Sequence, residues 1–273
     1  MGPKTRSIIT IKGRRVSYYK LGHGEPLIFL HGGRVRALTF HKLIEQLAKS
    51  YTVIAPDIPG YGDSETPKTV WSFADYANCF DSFLRELKLD SATVMGYSMG
   101  GGIAFNLAAC SNRVSQLILI DASGLPLSNI KQSHHDIRRF GFYLTHLQYI
   151  STLRTLAEDF LRFVWKHRRD WKHMKAIRHH CYGTSYENAL RHIGVPTIIL
   201  WGQDDWVFPV ETAEAFGVKI PQADVHIVRG NHDWPLYNPL QVGQYIDIVG
   251  TKSSRTLVNV KLVPTERVGG RIS

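Results

Sequence analysis

Residues Gly96-Tyr97-Ser98-Met99-Gly100 stand where an apolar run, Ala92 to Met95, gives way to a small-residue segment, Gly101 to Ala109. The run reads as a buried strand and the segment as a helix, so these five residues form a sharp strand-to-helix corner. Such a corner excludes side chains two positions either side of its centre, where the two glycines stand, and it holds the Ser98 hydroxyl above the sheet edge. The helix that follows aims its free backbone N–H groups, Met99 first, at the space in front of that hydroxyl. Ser98 is therefore the candidate nucleophile, and the chain around it has to supply a strand, a helix and partners for a reactive hydroxyl.

Those partners occur in a definite order. Upstream, Pro26-Leu27-Ile28-Phe29-Leu30 is a continuous apolar strand that runs into His31-Gly32-Gly33, a glycine-bearing turn whose N–H groups can complete an oxyanion hole with Met99. Downstream, Thr197-Ile198-Ile199-Leu200-Trp201 is another buried strand, followed by Gly202-Gln203-Asp204-Asp205. Carboxylates just past a strand suit an acid that orients a histidine. Val225 to Val228 then alternate before Gly230-Asn231-His232-Asp233, which places a histidine on a loop after the last strand. The order is Ser, Asp, His.

These residues resemble those of the α/β-hydrolase superfamily, its serine esterase, lipase and C–C hydrolase branch. Pro56-Asp57-Ile58-Pro59-Gly60-Tyr61-Gly62-Asp63-Ser64 is similar to that family's D-x-P-G-x-G-x-S loop, and the matches span residues 26–239. The resemblance implies an eight-stranded, mostly parallel sheet with helices on both faces, no cofactor, and hydrolysis through an acyl-serine intermediate. By the family's G-x-x-D spacing from Gly202, Asp205 is the orienting acid and Asp204 a loop acid, with Asp121 at the end of strand six as the alternative. The resemblance also gives His31 a bracing role, and Asp57 and Asp63 read as acids that hold their own turn through backbone N–H groups. Two departures matter. Arg34-Val35-Arg36 follows the glycines where small residues are common in the family, and Tyr237-Asn238-Pro239 replaces an acidic segment after the histidine. A serine at the corner, in place of an aspartate, argues against the dehalogenase and epoxide-hydrolase branches.

The chain has 273 residues, 44% hydrophobic and 21% charged, enough for one sizeable core. Strands alternating with helices imply one α/β domain with an insertion. The segments Ser7 to Ile11 and Val16 to Tyr19 around Gly13 read as an opening hairpin. The core is expected at 1–124 and 193–250, a helical lid at 125–192 after strand six, and a basic tail at 251–273. In the lid, Leu153, Leu156, Ala157, Phe160, Leu161, Val164 and Trp165 recur with helical spacing, as do Ile137, Phe140, Leu144, Leu147 and Ile150 in the preceding segment. These faces are expected to pack inward. Arg34, Phe140, Phe142, Phe160 and Trp165 are the candidate substrate contacts.

The formal net charge is +10, and it belongs to the lid and tail: residues 125–195 hold twelve Lys and Arg against five acids, and the tail from Gly250 holds five against one. Arg154, Arg162 and Lys166 fall on the polar side of the lid helix and read as a solvated face. Weak contact with an anionic surface through the lid is the one partner this charge suggests beyond a small ester-type substrate. No nucleic-acid module accompanies it. Eight of the thirteen histidines sit in the lid, but neighbours such as His179-His180 point about 100° apart on a helix and do not converge on a metal, so none is expected. Cys79, Cys110 and Cys181 are scattered and read as reduced, buried thiols. With no run of eighteen apolar residues and no leader pattern at Met1 to Thr10, a soluble, cytoplasmic protein is expected. Cleavage of a carbon–carbon bond or a lactone, or ligand binding without turnover, remain open beside ester hydrolysis.

Overall fold

The computed structural model describes residues 5–126, 135–168, 171–250 and 261–262. Eight strands form one sheet, with a two-residue ninth, β9 (Lys261–Leu262), on its far edge in the order β1-β2-β4-β3-β5-β6-β7-β8-β9. The chain opens with β1 (Thr5–Ile11) and β2 (Arg14–Leu21), an antiparallel hairpin closed by Lys12-Gly13. Both turn residues have positive φ, 48° and 76°, the requirement of a two-residue turn that follows strand twist. From β4 (Thr52–Pro56) onward, through β3 (Pro26–Leu30), β5 (Ala92–Tyr97), β6 (Val114–Ile120), β7 (Thr197–Gly202) and β8 (Ala223–Val228), every pair is parallel.

The central strands are apolar at every position because both faces are covered. Side chains alternate between two cores. Ile28, Val94, Leu117, Leu119 and Ile199 pack on one side with α2 (Phe73–Glu86), α3 (Met99–Cys110) and α8 (Glu211–Lys219). Leu27, Phe29, Met95, Ile118 and Leu200 pack on the other with α1 (His41–Leu47) and α10 (Pro239–Gly250). Helix α2 begins at a reciprocal cap: the Ser72 hydroxyl accepts from the Asp75 N–H, and the Asp75 carboxylate accepts from the Ser72 N–H.

Between β6 and β7 the chain inserts α4 (His135–Thr145), α5 (Ile150–His167), α6 (Trp171–Tyr182) and α7 (Glu187–Leu190). The face by which α5 packs is not the one its apolar periodicity favours. In α5 the buried positions are Leu156, Asp159, Phe163 and His167, whereas Phe160, Leu161 and Trp165 face solvent. At about 100° per residue, the inward side is turned roughly 110° from the apolar stripe. Polar anchors explain the rotation. Asp159 accepts from Arg36 Nε at 2.9 Å and from the Thr39 hydroxyl. Lys166 Nζ donates to the carbonyls of Gly62 and Ser64 at 3.0 and 2.6 Å, so it is not part of a solvated face. His167 Nε2 donates to the Gly60 carbonyl at 2.8 Å. Charged hydrogen bonds contribute more each than a half-exposed aliphatic side chain does, and turning the helix back would swing Asp159 away from Arg36 and Thr39 and break those bonds. In α4 the inward position is Tyr143 and Leu144 is exposed, as are Leu147 in the turn that follows and Ile150 at the start of α5; the side chains of Ile137 and Phe140 lie outside the described residues.

The remaining expectations divide. Asp57 holds its turn, accepting from the N–H groups of Ala37 and Asp63, both at 2.9 Å, but the Asp63 side chain pairs with Arg6 at 3.0 Å instead. All three cysteines are free thiols, and Cys110 is exposed where burial was expected. Its position at the last turn of α3 takes it past the covered part of that helix. Among the described residues, no helix is long and apolar enough to cross a membrane.

Candidate active site

The Ser98 backbone has φ 53° and ψ −119°, a conformation that costs a residue with a side chain on the order of 1–3 kcal/mol. Its surroundings impose it. The Ser98 N–H donates to the Ile120 carbonyl at 2.9 Å, and its own carbonyl accepts from Gly101 and Ser123 at 2.9 and 3.0 Å. Two glycines make the corner possible. A Cβ on Gly100 would strike the Leu30 carbonyl, and one on Gly96 would strike the Gly100 carbonyl and the Ala104 methyl.

β7 and β8 end beside this corner and deliver the other two residues picked out by spacing. His232 Nε2 lies 3.1 Å from Ser98 Oγ, and His232 Nδ1 lies 2.8 Å from Asp205 Oδ2. Asp205 has no exposed side-chain surface, and its other oxygen accepts from the N–H groups of Val207 and Phe208 at 2.6 and 2.9 Å. Three of its four lone-pair directions are thus taken by a turn and an imidazole, which leaves the carboxylate one orientation. Both ring nitrogens of His232 are engaged within the chain. Asp121 joins Asp205 and His232 in a buried cluster whose ligand-type atoms lie within 4.8 Å of one another. Its Oδ1 accepts from the Gly202 N–H at 2.8 Å. Burial first, and the Asp205 charge second, push the Asp121 carboxyl well above the usual carboxylate range. Asp204 remains in the exposed turn, where Gln203 donates to it.

Gly33 and Met99 face one another across the corner: a Cβ on Gly33 would stand 3.6 Å from Met99 Sδ. His31 supports that turn from beneath. It is fully buried, donates from Nδ1 to the Gly32 carbonyl at 2.7 Å and accepts at Nε2 from the Ile58 N–H at 3.0 Å. Burial pushes its pKa down to about 4, which keeps the ring neutral and able to hold both bonds.

Spacing alone did not disclose how His232 is held. Tyr97 donates its hydroxyl to the His232 carbonyl at 3.0 Å. The next residue, Asp233, is completely buried and receives Arg139 Nε and Nη2 at 2.6 and 2.5 Å, with the Tyr143 hydroxyl at 3.2 Å. Burial opposes the Arg139 charge, and Asp233 outweighs it and holds the guanidinium above its ordinary pKa. A buried carboxylate beside the histidine is therefore neutralised from α4. The only sign of it in the sequence is an acid adjacent to a loop histidine.

A cavity of about 430 Å³ opens on Ser98, Met99, Gly33 and His232. Its walls include Leu156, Phe163, Ile177, Tyr182 and Trp206, with Arg34 at the rim. Of the candidate contacts, Arg34 therefore lines it. Phe142 instead stacks with His146 and Tyr149 and sits against Trp206, one layer behind the wall. Phe160 is exposed beside the Arg34 guanidinium, and Trp165 lines a separate cavity of about 220 Å³. Both follow from the rotation of α5.

The sequence profile of the alpha/beta hydrolase family matches residues 27–244. A 2-hydroxymuconate semialdehyde hydrolase of Pseudomonas sp. strain CF600 is 28% identical over 263 residues, 85% of this chain and 88% of that one. Among solved structures, a membrane phospholipase A superposes with a TM-score of 0.77 at 22% identity, covering 92% of this chain and 87% of that one. A meta-cleavage product hydrolase from Pseudomonas fluorescens IP01 gives 0.70 at 23%, covering 88% and 95%. With a profile match over most of its length and the strand order and corner described above, the chain belongs to the alpha/beta hydrolase family.

Proposed function

We propose that this protein is a serine hydrolase that cleaves a carboxylic ester through an acyl-serine intermediate. The observation that carries the reading is the continuous relay from Ser98 Oγ through His232 to Asp205, at 3.1 and 2.8 Å, opening on a cavity. His232 Nε2 takes the Ser98 proton as the oxygen attacks the carbonyl carbon. The N–H groups of Gly33 and Met99 receive the negative charge that moves onto the carbonyl oxygen. His232 returns the proton to the departing alkoxide, then deprotonates water, whose attack releases the acid and restores Ser98. Asp205 fixes the ring with Nδ1 protonated and stabilises the imidazolium in both halves. The inserted helices at 125–192 serve as the lid of the site, with Leu156 and Phe163 on its inner side.

The test is turnover of a nitrophenyl ester together with labelling by a fluorophosphonate, mapped by peptide analysis. Ser98 is expected to carry the label, and Ser98→Ala to lose both label and turnover. Labelling and activity retained in that variant would refute the mechanism. A second reading, cleavage of a carbon–carbon bond next to a ketone, is supported by the 28% identical 2-hydroxymuconate semialdehyde hydrolase. Comparing esters with dienone acids on the purified protein separates the two.

A further inference from the structure

The rotation of α5 leaves an apolar stripe on its outer side. On a helical wheel Ile150, Ala157, Leu161, Val164 and Trp165 fall within about 100° of one another. Leu161 is 66% exposed, Trp165 69% and Ile150 49%, and Leu147, just before the helix, is 64% exposed. None of them is needed to hold the helix down, because Asp159, Lys166 and His167 do that from the opposite side. Long apolar side chains aligned along one solvent-facing helix are the kind of surface that marks a contact.

The charge around the stripe identifies the occupant. Arg154, Arg162 and Arg168 are exposed along it, and Glu158, the acid on this side of α5, is paired with Arg154 at 2.9 Å. Arg168 lies over the Trp165 ring at 4.1 Å. Residues 125–195 carry a net charge of +7, twelve Lys and Arg against five acids. A second copy docked through this stripe about a two-fold axis would set arginine against arginine, and the 251–273 tail is itself basic, so both are repelled. A helix with tryptophan and leucine toward the outside, bordered by arginines and anchored to a globular body, matches an anionic bilayer surface: the apolar side chains enter the acyl boundary while the guanidinium groups meet phosphate. We infer that α5 docks this protein on anionic lipid membranes through Ile150, Leu161 and Trp165, with Arg162 and Arg168 at the headgroups. The inference is independent of the bond that the site cleaves.

Co-sedimentation of the full chain with vesicles of phosphatidylcholine, with and without phosphatidylglycerol, tests it. Binding is expected to the phosphatidylglycerol vesicles and to weaken with salt. Leu161→Gln with Trp165→Gln should reduce partitioning roughly tenfold or more, at an unchanged melting temperature. Arg162→Gln with Arg168→Gln should reduce binding to the anionic vesicles about thirtyfold, since each cation near such a surface is worth about 1 kcal/mol, and leave phosphatidylcholine unaffected. Absence of binding to phosphatidylglycerol vesicles, or binding unchanged in the Leu161 and Trp165 variant, would overturn the inference. So would sedimentation velocity that finds a dimer dissociated by those same two changes.

Discussion

Replacing Arg139 by methionine tests whether the inserted helices hold the loop that carries His232. Asp233 has no solvent contact, and its carboxylate is met by two guanidinium N–H groups at 2.6 and 2.5 Å and by one phenol. Methionine fills much of the arginine's volume but leaves a buried charge with a single donor. Breaking such a pair from one side costs about 3–5 kcal/mol, far more than a surface ion pair is worth. For a chain of this size that corresponds to a fall in melting temperature of roughly 6–12 °C. The sharper measurement is the double-mutant cycle. Arg139→Met combined with Asp233→Asn removes the charge as well as its partner, so the double variant should recover most of the loss and melt within about 2 kcal/mol of the parent. Urea denaturation of the four proteins gives the coupling energy. Ester turnover should follow the same ranking, because Asp233 adjoins His232 in the chain. If Arg139→Met is within about 1 kcal/mol of the parent, or the double variant is worse than the single, the ion pair does not hold the loop and the argument fails.

Three more outcomes follow from buried groups around the site. Asp205→Asn should lower kcat by about a thousandfold or more with little change in fold, since the imidazole loses its tautomer and counter-charge. Asp121→Asn should stay within about tenfold, because asparagine resembles the protonated carboxyl that burial favours there; steady-state rates decide, and the reverse ranking would make Asp121 the orienting acid. His31 supplies a pH dependence. Its folded pKa, about 4 against an ordinary 6.5, lies below the unfolded value, so as pH falls through 6.5 the unfolded chain gains a proton that the folded chain refuses. Stability should drop by about 3 kcal/mol between pH 6.5 and 4 from this group alone, and the difference between wild type and His31→Gln in urea unfolding across that window should isolate it.

Much of the framework was legible because it depends on neighbours in the chain. Gly96, two positions before Ser98, answers to the Gly100 carbonyl four residues on, the hairpin turn at Lys12-Gly13 to its own φ angles, and the buried parallel strands to continuous apolar runs. The order Ser98, Asp205, His232 was readable for the same reason: each residue sits just past a recognisable strand. Tertiary structure decided what depends on pairs far apart in sequence. Arg139 and Asp233 are 94 positions apart, and Thr39 and Asp159 are 120. Their partnership exists only once the sheet order has brought the insertion over the corner. Helix α5 shows the consequence most clearly. Its apolar periodicity favours one face, but it packs by another, because a carboxylate, an ammonium and an imidazole found fixed partners on the core. A hydrophobic period records which side of a helix is greasy. Which side lies inward is settled by the strongest contacts available at the place where the fold sets that helix down, and those contacts belong to residues that local sequence does not connect.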